Sequence, residues 1–238
     1  EITYGDWSSD VCSSDLGFHV ELFQKSLSLV GWSAHIRKIK KVEWLQATAY
    51  KPSFLCEMRD AYSGPILYLD IDAYIHDIDE YFFNNIEHDI AIHYMQNGSN
   101  FELLSGTIYL ADNQVVHDLL QEWRSRVYFP ENRGKYDQFV LQEILDEWIE
   151  FEKIKVDLLP AEYCYIFDKF KSKYPKLQPK IEHLQASREI KFMQKNNTFL
   201  RRLLGLRARP SNSLLRRRRR LGELAAAVGM ELPGSISS

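Results

Sequence analysis

The stretch that most narrows the fold is "ILYLDIDAYIHD", residues 66–77, in which four apolar residues follow the helix breakers Gly64 and Pro65 and run straight into Asp70 and Asp72. A short apolar run bounded by breakers, with no polar face, reads as a strand buried on both sides. Strands of that kind belong to sheets covered by helices, and the middle of the chain alternates accordingly. Val20, Phe23, Leu27 and Val30 recur at helical spacing, and "SAHIRKI" reads as a short strand. A helix is predicted to start near Pro52, a residue suited to the first turn, with Phe54, Leu55, Met58 and Tyr62 facing inward. Strands are predicted again at "DIAIHY", "GTIYLAD" and "KIKVDLL". Val116, Leu119, Leu120 and Trp123 share one helix face; Val140, Leu141, Ile144, Leu145 and Trp148 share another, in a helix that Asp137 is expected to N-cap. The pattern predicts an α/β fold, a Rossmann-like mixed, mainly parallel sheet flanked by helices. Ligands of such sheets bind beyond the carboxyl ends of the strands, and Asp70 and Asp72 occupy one of those ends.

A chain of 238 residues with 45 % hydrophobic content can bury a sizeable core. No apolar run approaches the roughly 18 to 20 residues of a membrane span, and the basic-then-apolar order of a signal peptide is missing, so a cytoplasmic location is the simplest expectation. Cys12, Cys56 and Cys164 are too scattered for a disulfide framework or a thiolate metal cluster. The net charge of -3 averages an acidic middle with an arginine-rich last quarter.

Both ends stand apart in composition. Residues 6–16, "DWSSDVCSSDL", lack any period and resemble the translation of a common sequencing-adapter oligonucleotide. Residues 1–16 are therefore expected to be a non-native or disordered leader that replaces a natural N-terminus, including the first strand. From residue 201 to 238 lysine gives way to arginine, leucine and small residues. That tail is expected to be poorly ordered, because like-charged runs seldom fold alone. Arg216 to Arg220 would attract phosphates, with weak contact to an anionic membrane as the corresponding partner. A nucleic-acid partner is not expected, since residues 17–200 lack a basic-aromatic surface.

Two aspartates at i and i+2 on extended backbone point the same way, and a hard divalent cation relieves their repulsion. Oxygen donors favour Mg²⁺ or Mn²⁺. Helix capping explains the doublet almost as well, with Asp77 and Asp79 starting the next helix.

The order of short motifs resembles the GT-A glycosyltransferases, near their retaining GT8 and GT77 groups. "YLDIDAYI" matches their Asp-any-Asp motif, "LLSGTIYL" their small-residue strand, "YDQFVLQEIL" their Asp-Gln helix start, "LLPAEYCYIFD" their Leu-Pro segment and "IEHLQASR" their late histidine segment. The resemblance implies a GT-A-like domain over residues 17–200. It would transfer a sugar from a nucleotide-diphosphate sugar to a hydroxyl-bearing glycan or lipid-linked acceptor. It assigns Asp70, Asp72 and His183 to Mn²⁺ or Mg²⁺, and gives Asp70 a second contact with the nucleotide. Lys51, Ser105, Gly106 and Arg188 would line the donor, with Arg188 standing in for a lysine of the family pattern near the diphosphate. Asp137 and Gln138 would act near the reacting carbon.

Three other readings compete, one of them an inactive transferase fragment, because the GT-A fold opens with a strand whose following loop holds the nucleotide base and the leader would replace it. A haloacid-dehalogenase-type phosphatase would use Asp70 as nucleophile, but Ala73 and Tyr74 occupy positions where that motif calls for glycine and threonine or valine. A non-enzymatic anion- or nucleic-acid-binding protein would act through the arginine tail. Deleting residues 201–238 is expected to abolish binding in that case and to spare a donor site.

Overall fold

The computed structural model describes residues 2–5, 13–37, 44–196 and 209–232. Strands β1 (Ile2–Gly5), β2 (Ala34–Arg37), β3 (Ile66–Leu69), β5 (Ile90–Asn97), β6 (Asn100–Leu110) and β7 (Val156–Leu158) form one sheet in the order β2-β1-β3-β6-β5-β7. Five strands run in one direction; β6 runs against both of its neighbours, β3 and β5. A smaller sheet holds β4 (Ala73–Ile75), β9 (Ile181–His183) and β8 (Tyr165–Ile166) in that order. The helices are α1 (Ser13–Leu29), α2 (Trp44–Ala61), α3 (Glu80–Asn84), α4 (Gln114–Arg126), α5 (Asp137–Glu150), α6 (Lys169–Lys173), α7 (Ser187–Asn196) and α8 (Asn212–Ala227).

Strand β3 is buried on both faces, as its apolar run requires. Leu67 and Leu69 join Phe23 and Leu27 of α1, whereas Ile66 and Tyr68 join the apolar faces of α2, α4 and α5. The latter layer contains Val116, Leu119, Leu120, Trp123, Val140, Leu141, Ile144 and Leu145, the residues their spacing selects. No described helix is long and apolar enough to cross a membrane.

Five expectations change. Ile2–Gly5 forms β1 and lies between β2 and β3, filling the place of a first strand that was expected to be missing. Helix α1 already begins at Ser13, so the leader does not extend to residue 16 as a separate segment; residues 6–12, with Cys12, lie outside the described residues. Pro52 sits inside α2, eight residues after its start, where packing of Phe54, Leu55 and Met58 outweighs one missing backbone donor. The N-cap of α5 is Tyr136, and Asp137 is the first helical residue, its side chain turned to a buried partner.

The fifth change is the tail. Residues 212–227 form α8, capped by Ser211, whose side chain accepts a hydrogen bond from the Leu214 N–H. Leu214, Leu221 and Leu224 recur on one face and pack with Phe18, Leu22, Tyr74, Phe167 and Leu184 in a third core cluster. An amphipathic stripe ran beneath the arginines and is stronger than their mutual repulsion, because acids of the fold neutralise them: Arg217 and Arg218 pair with Glu189, and Arg220 with Glu182. Residues 197–208 and 233–238 lie outside the described residues.

Candidate functional site

Asp70 and Asp72 do not share one extended strand. Strand β3 ends at Leu69, and the Ala73 N–H donates to the Asp70 carbonyl at 2.9 Å, closing a turn around buried Ile71. Asp70 thus terminates the large sheet, and Asp72 introduces the small one. The site lies where the two sheets meet.

Asp70 is held from the α2 side. The Lys51 ammonium, only 4 % exposed, lies 3.2 Å from Asp70 Oδ1 and 3.1 Å from Asp137 Oδ2, and donates to both the Ser105 carbonyl and hydroxyl. Tyr68 donates its hydroxyl to Asp70 Oδ1 at 2.8 Å, and its ring lies beneath the ammonium. Burial acts to lower the Lys51 pKa, but Asp137 and Asp70 outweigh it and raise the pKa above its ordinary value. Burial pushes the Asp137 carboxyl up; Lys51 opposes this and Asp70 reinforces it.

Asp72 is held from the opposite side. Its carboxylate accepts the Ala186 N–H at 2.7 Å and lies 3.6 Å from His183 Nδ1, while its carbonyl accepts the Leu184 N–H at 3.0 Å. Burial would raise its pKa, but His183 and the Ala186 amide bring it down to about 2, so the group is a carboxylate at neutral pH. Gln185, between the two donating amides, has a φ of 55°. For a residue with a Cβ that conformation costs roughly 1 to 2 kcal/mol, so this turn depends on the bonds that hold it.

The His183 ring fixes its own tautomer. Thr107 donates its single hydroxyl proton to the Tyr163 carbonyl at 2.7 Å, so its 2.8 Å contact with His183 Nε2 makes Nε2 the donor. With Nδ1 protonated the ring faces Asp72 as a donor, the arrangement that holds the Asp72 carboxyl low; with Nδ1 bare, the two groups meet acceptor against acceptor. A proton on Nδ1 or a cation shared by the two groups relieves that juxtaposition. Gly106 makes room for the ring, since a Cβ there would lie 2.9 Å from His183 Cε1. The glycine thus gives the His183 ring the space it occupies.

Asp70 and Asp72 line two adjoining cavities. The smaller, about 70 Å³, also contains Gly106, Thr107 and His183. The larger, about 240 Å³, contains Lys51, Ser105, Asp137 and Gln138. Gln138 donates to Glu102 at 3.2 Å. Among the described residues, no three His, Cys, Asp or Glu side chains are already arranged around a common metal position. The donor chemistry of Asp70, Asp72 and His183 nonetheless suits a hard or borderline divalent cation, and the approach of Asp72 to His183 Nδ1 at 3.6 Å is the observation that favours one.

Arg188 is not part of this site. It grips Asp168 through both guanidinium nitrogens, at 2.6 and 2.8 Å, and donates to Ser213. One residue of helical rotation separates it from Ser187, which does face the cavity together with Lys191 one turn later. The cations that line the larger cavity beside Lys51 are Lys169 and Lys191. Sequence reasoning missed both, along with Glu102, Tyr136 and Gln185; the i, i+4 spacing of Ser187 and Lys191 was the available signal.

No family model matches the sequence, and no curated protein matches it. Solved structures do match in fold. A glycosyltransferase involved in the glycosylation of the major capsid of PBCV-1 superposes with a TM-score of 0.59 at 13% identity, over 81% of this chain and 98% of its own. The glycosyltransferase GlyE of Streptococcus pneumoniae TIGR4 gives 0.53 at 15% identity, over 99% of this chain and 65% of its own. The galactosyltransferase LgtC, solved with donor and acceptor sugar analogs, gives 0.50 at 10% identity, over 86% and 99%. The chain therefore has a GT-A-like glycosyltransferase fold, with the acidic turn at the meeting of its two sheets.

Proposed function

We propose that this protein is a metal-dependent glycosyltransferase, moving a sugar from a nucleotide-diphosphate donor to the hydroxyl of a glycan or lipid-linked acceptor. The observation that carries the reading is the polarity of the joined cavities: Asp70 and Asp72 line both, His183 lines the smaller, and Lys169 and Lys191 line the larger. A cation at the carboxylates and an anionic diphosphate toward the lysines match that arrangement. Asp70, Asp72 and His183 would hold Mn²⁺ or Mg²⁺, which when bound offsets the charge that develops on a leaving diphosphate. Lys51 keeps Asp70 oriented and ionised, and is not itself available to the donor because Asp70, Asp137 and Ser105 occupy it. Asp137 and Gln138 present a carboxyl and an amide to hydroxyls of the bound sugars.

The test is release of nucleoside diphosphate from a panel of nucleotide-diphosphate sugars, with and without Mn²⁺. Release is expected only with metal and only in the unaltered protein, with Asp70→Asn and Asp72→Asn inactive. Equal release from both variants would contradict the metal role. Phosphate release from simple phosphomonoesters, lost in Asp70→Asn, would favour the phosphatase reading.

A further inference from the structure

Arg217 is the most deeply buried charge in the arginine run, 2 % exposed, and no step of the proposed reaction uses it. Its Nε donates to the Leu184 carbonyl at 2.9 Å, Nη1 to Glu189 at 3.2 Å and Nη2 to His19 Nε2 at 2.6 Å. His19 suits that acceptor role: burial first, then the guanidinium, pushes its pKa down to about 3, so the imidazole is neutral. The same peptide unit whose carbonyl Arg217 holds leads into the Gln185 turn. The N–H groups of Leu184 and Ala186 both donate to Asp72, to its carbonyl and its carboxylate. A chain of direct bonds therefore runs from α8 through one turn to the carboxylate.

We infer that α8 is a latch on this site and that Arg217 is a positioning residue for Asp72. A guanidinium carries three differently directed donor groups, enough to fix a backbone carbonyl, a carboxylate and an imidazole at once. With Arg217 in place, the left-handed Gln185 turn is tied at both ends, to α8 by the Leu184 carbonyl and to Asp72 by two amides. Without it, the Leu184 carbonyl loses its buried partner and the strained turn relaxes. Arg218 contacts the same Glu189 but not the Leu184 carbonyl, so the effect belongs to position 217. Residues 209–232 are accordingly part of the site's support, the reverse of a tail whose removal spares it. The catalytic meaning of the latch rests on the function proposed above, but the latch itself does not.

The experiment compares the full chain with Arg217→Met, Arg217→Lys, Arg218→Met and, as a control that weakens the α2–α4–α5 core, Leu119→Ala. Hydrogen exchange of the Leu184 and Ala186 amides is read by NMR on metal-free protein, and Mn²⁺ affinity by titration. Arg217→Met is expected to speed exchange of both amides by about tenfold relative to strand β6, and to weaken Mn²⁺ binding by a similar factor. Lysine cannot reach all three acceptors, so Arg217→Lys should fall between methionine and arginine, and it carries the test if methionine prevents folding. Arg218→Met should leave both readings unchanged. Leu119→Ala should lower the melting temperature without altering Mn²⁺ affinity, which separates positioning from general stability. Wild-type exchange at both amides in Arg217→Met or Arg217→Lys would overturn the latch. Fast exchange in a chain whose wild type binds no Mn²⁺ would uphold the latch and overturn the metal site instead.

Discussion

Two buried cations support the two aspartates of the acidic turn, and they do so in different ways. Lys51 grips Asp70 directly, in a cluster with Asp137 and Ser105 at the end of β3. Arg217 never touches Asp72; it holds the backbone that holds Asp72. The first arrangement sets a charge beside a charge, so it governs protonation and stability. The second sets geometry through a strained turn, so it governs where a carboxylate points. A site made of two adjacent acids thus has one electrostatic anchor and one mechanical one.

The largest effect that separates the anchors is loss of Lys51. Lys51→Met leaves Asp70 and Asp137 facing each other with no countercharge, at an expected cost of about 3 to 5 kcal/mol in chemical denaturation, the range found when one partner of a buried pair is removed. Asp137, already pushed up by burial, should then take up a proton at neutral pH.

Acid probes the Arg217 side. The His19 pKa is depressed, about 3 in the folded chain against 6.5 ordinarily, so the unfolded chain binds a proton first as pH falls. Its contribution is complete above pH 6.5 and is lost as pH drops from there toward 3. Near pH 4.5 the loss should reach about 3 kcal/mol, two units at about 1.4 kcal/mol each. Asp72, depressed to about 2, adds loss only below its ordinary 3.8. His19→Gln keeps an acceptor for Arg217 and should flatten the decline of melting temperature between pH 6.5 and about 4.5.

Gly106→Ala strikes the Asp72 side first, since the atoms nearest its Cβ belong to the His183 ring. Overpacking of this kind costs about 1 to 3 kcal/mol, and Mn²⁺ affinity should fall with it in a titration, whereas the Lys51 cluster should be untouched. Smallest of all, Arg218→Met removes a guanidinium one-third exposed to solvent while Glu189 keeps Arg217, and should shift stability by no more than about 1 kcal/mol in the same denaturant series.

The same contrast explains what was legible in the sequence. Asp70 and Asp72 were readable because their signal is local, an apolar run that ends in acids; Lys51 came only through the motif resemblance, as a residue lining the donor, whereas the structure ties it to Asp70, Asp137 and Ser105. The strand and helix faces were readable from a local signal too, through period. Arg217 was not, because its partners lie 33 and 198 residues away and exist as an environment only after Leu214, Leu221 and Leu224 dock. Its own position continues that apolar stripe, three residues after Leu214 and four before Leu221, but five consecutive arginines hide the period. Arg188 failed in the opposite direction: near the right place in sequence, it is turned by one helical step onto Asp168. The turn geometry at Asp70–Ala73 was likewise unreadable, since an i, i+2 spacing is compatible with both strand and turn.

On the proposed function, the acidic turn binds a divalent cation together with a nucleotide-diphosphate sugar. Melting temperature measured across a panel of nucleotide-diphosphate sugars, with and without Mn²⁺, tests it most directly, because a ligand of the folded state raises stability by mass action. An upward shift that needs both metal and one nucleotide sugar, and that disappears in Asp72→Asn, is the expected result. No shift with any member of the panel, or the same shift in Asp72→Asn, would contradict the claim.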